Sequence, residues 1–161
     1  MSANYKPKPG SGDNGFTDLF GGKRVGKTDL RVRTNALIDE LASLLGVIKS
    51  GLKSGKSKQE IAGVQGALVA VSGFIAGAAA APEIKAAVSG LEALIAGRSK
   101  YLPPLKKFIL PGKNKTEALV HLARSRARLC ELLAWRLKMR LPAVYLNRLS
   151  DYLFLLARKN L

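Results

Sequence analysis

Four residues in one stretch of this chain carry its clearest chemistry. His121, Arg124, Arg128 and Glu131 are spaced 3, 4 and 3 apart, which puts them in a single stripe on one helix face. Two arginines one turn apart make a forked set of donors that fits phosphate oxygens, and Glu131 is placed to fix the rotamer of Arg128. On residue types alone, a solvated ion-pair face is the simpler reading, and Arg126 points away as an ordinary surface charge. A second group is the glycine-rich N-terminal loop, with Gly12, Asp13, Gly15, Thr17, Gly21, Gly22 and Lys27. Its glycines let backbone amides approach phosphates, and Lys27 adds a mobile positive charge. It is not a Walker sequence, and such loops often serve only as flexible connectors. Asn147, Arg148 and Asp151 form a third group inside an apolar run. Unpaired buried amides and charges are costly, so this group is either a ligand contact or a satisfied interhelical network. With one histidine and one cysteine, the chain offers no metal-ligand cluster and no nucleophile–base pair. His121 is therefore read as structural or as part of a site wall.

Five helices are expected to position these groups. Apolar residues recur at helical spacing from Leu30 to about Ile48. A Lys/Ser/Gly linker, 51–58, precedes an apolar block from about Gln59 to Ala81 that Pro82 ends. Pro82 and Glu83 suit the start of another helix running to Ala96. The pair Pro103-Pro104 and then Pro111-Gly112 break the pattern until Thr116 and Glu117 open a long helix to about Arg140. Pro142 starts the last helix, to about Lys159. Residues 1–29 read as irregular, and no alternating strand pattern stands out. The fold expected is all-α, a five-helix bundle (30–161) behind an irregular loop (1–29), together one domain over 1–161.

Composition sets outer bounds. Apolar residues make up 47% of the 161, which argues against wholesale disorder, and the lone Cys130 favours a reducing compartment. There is no charged start followed by an apolar core and a cleavage site, so a cytoplasmic location is expected. The net charge of +16 fits nucleic acid, an anionic membrane or a polyanion such as a nucleoside triphosphate. Ile61 to Pro82 carries no charge and is long enough to nominate a membrane span. Its many Ala and Gly, with Gln65 and Ser72, favour a buried bundle helix instead.

Five separated segments, in order along nearly the whole chain, point to a family. They are Gly12-Asp13-Asn14-Gly15-Phe16-Thr17-Asp18-Leu19 running on to Lys27-Thr28-Asp29, Ile38-Asp39-Glu40-Leu41 with Ser43 and Gly46, Phe108-Ile109-Leu110-Pro111-Gly112, His121 to Glu131, and Tyr145 to Phe154. Together they resemble the ATP:cob(I)alamin adenosyltransferases of the trimeric PduO type. The resemblance implies a ferritin-like helical bundle whose N-terminal loop folds over ATP, with Lys27 on the phosphates and Thr17 as a further donor. It implies that Arg124, Arg128 and Glu131 bind ATP, that Asn147 contacts the nucleotide, and that Gly12, Asp13 and Gly15 belong to the loop. Asp39 would pair with Arg128 of a neighbouring subunit, placing active sites between protomers of a homotrimer. Phe108, by composition a plain core aromatic, would lie beneath the corrin ring and displace the lower cobalt ligand. Arg128, Asp39 and Phe108 would thus be the catalytic set. ATP, Mg²⁺ and cobalamin as substrate are the implied small molecules, with hand-over of product to a B12-dependent enzyme. The absence of a protein nucleophile fits, because reduced cobalt would attack the ribose C5′ itself.

The chain departs from the family pattern in several places. Pro9-Gly10-Ser11 stands where Thr-Arg-Thr is usual, with Lys6 and Lys8 the nearest basic substitutes. Leu132 occupies the position of an expected arginine, Ala36 and Ala42 replace Gly and Asn, and Lys113 replaces a glycine. These changes motivate one alternative, a degenerate sibling that binds ATP and cobalamin without turnover. Another is a basic helical nucleic-acid-binding protein, against which stand the scatter of basic residues over several loops and the lack of a known module.

Overall fold

A computed structural model describes residues 9–158. Five helices follow in order: α1 (Leu30–Gly51), α2 (Gly55–Ala76), α3 (Ala81–Ser99), α4 (Lys115–Arg136) and α5 (Arg140–Arg158). The positions Lys6 and Lys8 lie outside the described residues. Ahead of the bundle, β1 (Phe16–Asp18) and β2 (Arg24–Gly26) pair antiparallel, with Thr17 opposite Val25. This hairpin corrects the irregular reading over 16–26, while the part of that reading on 1–8 lies outside the described residues. Three-residue strands are too short for an alternating pattern to register.

Local chemistry sets the helix ends. Asp29 caps α1 by accepting from the Arg31 amide at 2.8 Å, and the Arg31 guanidinium grips the same carboxylate at 2.7 Å. Ser54 caps α2, which therefore starts within the expected linker, its oxygen accepting from the Ser57 amide at 3.3 Å. Gly77, at φ 108°, ends α2 in the left-handed conformation, five residues before the proline expected to stop it. Asn114, rather than Thr116, caps α4 by accepting from the Glu117 amide at 2.9 Å. The α4–α5 break falls at Leu137–Met139, earlier than expected. Lys138 takes φ 59°, and the Met139 amide bonds back to the Ala134 carbonyl at 2.9 Å. This is a Schellman-type stop with lysine where glycine is usual, so no glycine marks it in the sequence.

Packing centres on α5, which lies against α4, α3 and α2, while α1 packs on α2 and α4. Ile38, Leu41, Leu45 and Ile48 form the buried stripe of α1, and Ile61, Val64, Leu68, Val71 and Ile75 that of α2. Each such aliphatic side chain contributes about 1.5–3 kcal/mol on burial. Helix α2 is long and apolar enough to span a membrane. Its buried stripe instead faces the bundle, and its Gln65 donates to the Ala42 carbonyl at 2.9 Å and accepts from Lys49 at 2.9 Å. Four buried residues of α4 are small, Ala123, Ala127, Cys130 and Ala134, which lets neighbouring backbones approach closely there. Burial pushes the Cys130 thiol up to about 12, so it is a packing residue rather than a reactive one. Near the α2 N-terminus, Glu60 takes a charged contact from Arg98 and a 3.0 Å hydrogen bond from the Tyr152 hydroxyl. That cluster ties α2, α3 and α5 together.

The Arg31 side chain, above all, holds the Asp29 carboxyl down at about 2 against an ordinary 3.8. The cap is thus fully ionised above pH 4 and its contribution is lost only as pH falls through about 2. Asp29→Ala is expected to lower unfolding stability by about 1 kcal/mol at neutral pH in urea melts. That difference should shrink in acid.

Candidate active site

Helix α4 presents the expected stripe, and the structure divides it into two linked parts. The first is a polar relay. Glu131 is only 6% exposed, and its two oxygens are shared between helices. The Arg128 guanidinium donates to Oε2 at 2.6 Å, and the Asn147 amide of α5 donates to Oε1 at 3.2 Å. Arg148 then donates to Asn147 Oδ1 at 2.7 Å and to Glu92 of α3 at 3.0 Å. The relay runs Arg128, Glu131, Asn147, Arg148, Glu92, across three helices. Arg128 is fixed at one nitrogen while its remainder is exposed, the arrangement required of a side chain that meets an anion from solvent. Asn147 belongs to an interhelical network, and Asp151 points into solvent.

The second part is a cleft of about 700 Å³, lined by Arg124 and His121 of α4, Phe154 of α5 and the strap 105–111. Phe108 is on that strap and is 100% exposed, which overturns its reading as a core aromatic. An aromatic ring so fully solvated at the mouth of a cleft is available to a flat apolar ligand. Arg124 is half-buried, and its Nε is buried with no hydrogen-bond partner among the described residues. His121 is buried, edge-on to Phe154 with ring centroids 6.3 Å apart. Its Nε2 lies 3.2 Å from Glu117 Oε1, within ion-pair range but not aligned as a hydrogen bond. The stripe is thus no solvated ion-pair face, since half of it is buried. Arg126, expected to be a plain surface charge, reaches Glu40 of α1 at 2.7 Å.

The N-terminal loop forms a third group. The Lys27 amide donates to the Gly15 carbonyl at 2.8 Å, closing the loop on the hairpin. The Lys27 side chain lies over Gly12, where an added Cβ would stand 2.9 Å from Nζ. Gly12 is therefore the seat of Lys27, and a side chain there would displace the ammonium. Asp13 is exposed, its amide bonded to the Gly10 carbonyl at 3.2 Å. Thr17 is half-buried in β1. Asp39 is exposed on α1 and has no cationic partner among the described residues, so within one copy it does not meet Arg128.

Sequence reasoning missed Glu92, Glu117 and Phe154. Glu117 had a signal, since Asn114-x-x-Glu117 has the spacing of a capping box. The other two are ordinary helix positions until the helices are packed.

The cobalamin adenosyltransferase family model matches residues 9–160. A corrinoid adenosyltransferase of Citrobacter freundii is 36% identical over 170 residues, covering 96% of this chain and 94% of that protein. One from Bacillus subtilis is 36% identical over 161 residues, covering 92% and 82% respectively. Among solved structures, a variant PduO-type ATP:corrinoid adenosyltransferase from Lactobacillus reuteri, complexed with cobalamin and ATP, superposes with a TM-score of 0.85. It is 29% identical, and the match covers 95% of this chain and 89% of that one.

Removing the relay's central carboxylate leaves Asn147 without its acceptor and Arg128 without its anchor. Arg128 is half-exposed and recovers water, so Glu131→Ala is expected to cost about 1–2 kcal/mol rather than the full penalty of a buried pair. Urea denaturation measures it, and Glu131→Gln, which keeps an acceptor, should recover part.

Proposed function

The chain belongs to the cobalamin adenosyltransferase family, and from that premise we propose that it transfers the 5′-deoxyadenosyl group of ATP to the cobalt of cob(I)alamin. The observation that carries the proposal is the division of labour along one face of α4. His121 and Arg124 line the cleft with Phe108, and Arg128 and Glu131 lie on the same stripe one heptad further on. Seven residues of helix span about 10 Å, roughly the distance from a ribose to the end of a triphosphate. The corrin would occupy the cleft over Phe108, with the phosphates running from Arg124 at the cleft wall to Arg128 and the Lys27 loop.

In this reading the cobalt lone pair attacks C5′ of ATP, the C5′–O bond breaks, and inorganic triphosphate leaves with the bonding electrons. Cobalt goes formally from the +1 to the +3 state, so no external oxidant is needed. The chain's own residues orient the reactants and stabilise charge on the leaving group. Arg128, held in place by Glu131, and Arg124, with its unpaired Nε, are the donors proposed for the phosphates. Asn147, whose Oδ1 and Nδ2 are both engaged by neighbours, would act by holding Glu131 and by touching the nucleotide. Gly12, Asp13, Gly15, Thr17 and Lys27 would close over the phosphates. No three His, Cys, Asp or Glu side chains come together among the described residues. Mg²⁺ would therefore travel on the triphosphate oxygens rather than in a protein cage.

The same reading makes the active unit a homotrimer, with residues 1–29 and 30–161 acting as one domain. Two features, one on α4 and one on α1, support an additional subunit beside Arg128. Leu132 and Trp135, four and seven residues on, are 58% and 48% exposed, an apolar margin that a neighbour would cover. Among the described residues, six carboxylates pair with an arginine, whereas Asp39 has no such partner. It is thus available for Arg128 of another copy. A cytoplasmic location fits a substrate as easily oxidised as cob(I)alamin.

The test is an anaerobic assay with Mg-ATP and chemically reduced cobalamin, following loss of the cobalt(I) spectrum and release of triphosphate. Turnover is expected, with Arg128→Ala lowering kcat/KM by about 100-fold, the effect of removing one preorganised donor to a developing charge. ATP and corrinoid binding without turnover in the unmodified chain would instead establish the degenerate sibling.

A further inference from the structure

Strand-free and helix-free, the strap from Tyr101 to Asn114 carries Phe108 across the cleft mouth, and almost every residue of it is exposed. Chain of this kind has little burial to hold it in one place. Two attachments stand out. At its start, the Arg158 guanidinium of α5 donates to the Pro103 carbonyl. At its end, Glu117 of α4 accepts from the Gly112 amide at 2.9 Å and the Lys113 amide at 3.1 Å, both at Oε2. Its other oxygen, Oε1, faces His121 Nε2 at 3.2 Å, and His121 is itself part of the cleft wall against Phe154.

Glu117 is 3% exposed, an expensive place for a carboxylate. Capping the helix does not require it there, because Asn114 already supplies the α4 cap. Two of its hydrogen bonds go to the residues just before that cap, four and five beyond Phe108. We propose that Glu117 is a positioning residue for the corrinoid half of the site. It clamps the end of the strap to the cleft wall and so sets where Phe108 stands over the cleft. The Gly112 amide, foremost, and then the Lys113 amide and His121 hold the Glu117 carboxyl below the usual range despite its burial. The clamp is therefore an anion at neutral pH, which strengthens both amide bonds. The inference rests on the adenosyltransferase reading for its consequence, but the clamp itself does not.

The two can be separated experimentally. Trypsin cleavage after Lys106 and Lys107 reports the strap whether or not the chain is active. Glu117→Ala is expected to speed that cleavage at least fivefold, with Glu117→Gln, which keeps an acceptor for the amides, closer to the parent. In the cobalamin assay, Glu117→Ala should lower kcat at least tenfold and raise the KM for the corrinoid, leaving the KM for ATP within twofold. The absorbance of bound cob(II)alamin should lose the signature of a missing lower ligand, with partial rescue by Glu117→Gln. In a Phe108→Ala background the same change should add little, since its effect passes through Phe108. Unchanged proteolysis would overturn the clamp. Equal losses for ATP and corrinoid, or full additivity with Phe108→Ala, would reduce Glu117 to a stabilising residue. If the parent chain fails to turn over, the adenosyltransferase reading falls, and the proteolysis alone decides the clamp.

Discussion

The buried carboxylate of Glu131 is the constraint on which the rest of the site depends. A carboxylate this deep must have its oxygens satisfied, and here one is taken from α4 and the other from α5. Both bonds require the two helices to lie close and in one register. The small residues Ala123, Ala127, Cys130 and Ala134 allow that approach, and the earlier-than-expected break at Lys138 sets the chain reversal between the helices. Arg148 and Glu92 extend the constraint to α3. The arginine that faces solvent is thus held by a lattice spanning most of the bundle, and its position is fixed before any ligand arrives. Such preorganisation is worth more to catalysis than the binding strength of the arginine alone, because nothing need reorder as charge develops.

Much of this was legible in the sequence, for definite reasons. The first helix announced itself through apolar residues at helical spacing, and the others through an apolar block, prolines and acidic starts. The 3-4-3 spacing of His121, Arg124, Arg128 and Glu131 dictated a shared face, and α4 displays it. What was not legible depended on events between elements. Arg126 reads as a surface charge until α1 brings Glu40 to it, and Phe108 reads as core until the strap is seen to hang outside the bundle. Lys138 adopts a conformation that the sequence marks only when glycine or asparagine is present. The Phe16–Gly26 hairpin is too short for periodicity to declare it, and the loop glycines that suggested irregularity are the same ones that let its turn close.

Charge is the remaining question, since this chain lacks an arginine where Leu132 stands. A triphosphate leaving group gathers several negative charges, and Arg124, Arg128 and Lys27 are the cations proposed to meet them. Two physical effects bear on whether that is enough. The first is the field of the whole molecule, +16 overall, with Lys106, Lys107, Lys113 and Lys115 clustered on and beside the strap. Such a field raises the local concentration of a polyanion and stabilises it over distances of about a Debye length, near 8 Å in physiological salt. The second is the local dielectric. Leu132 and Trp135 flank Arg128 with apolar surface, and in the proposed assembly a neighbouring subunit would cover them. Excluding water there strengthens each remaining ion–ion contact several-fold, because Coulomb energies scale inversely with the dielectric constant. Replacing a solvated arginine by leucine then removes one charge while drying the site around another. The two changes oppose each other in phosphate affinity, but both act on the same proton-independent electrostatics. A site built this way depends strongly on Arg128, because Arg126, the other guanidinium on its turn of α4, is engaged by Glu40.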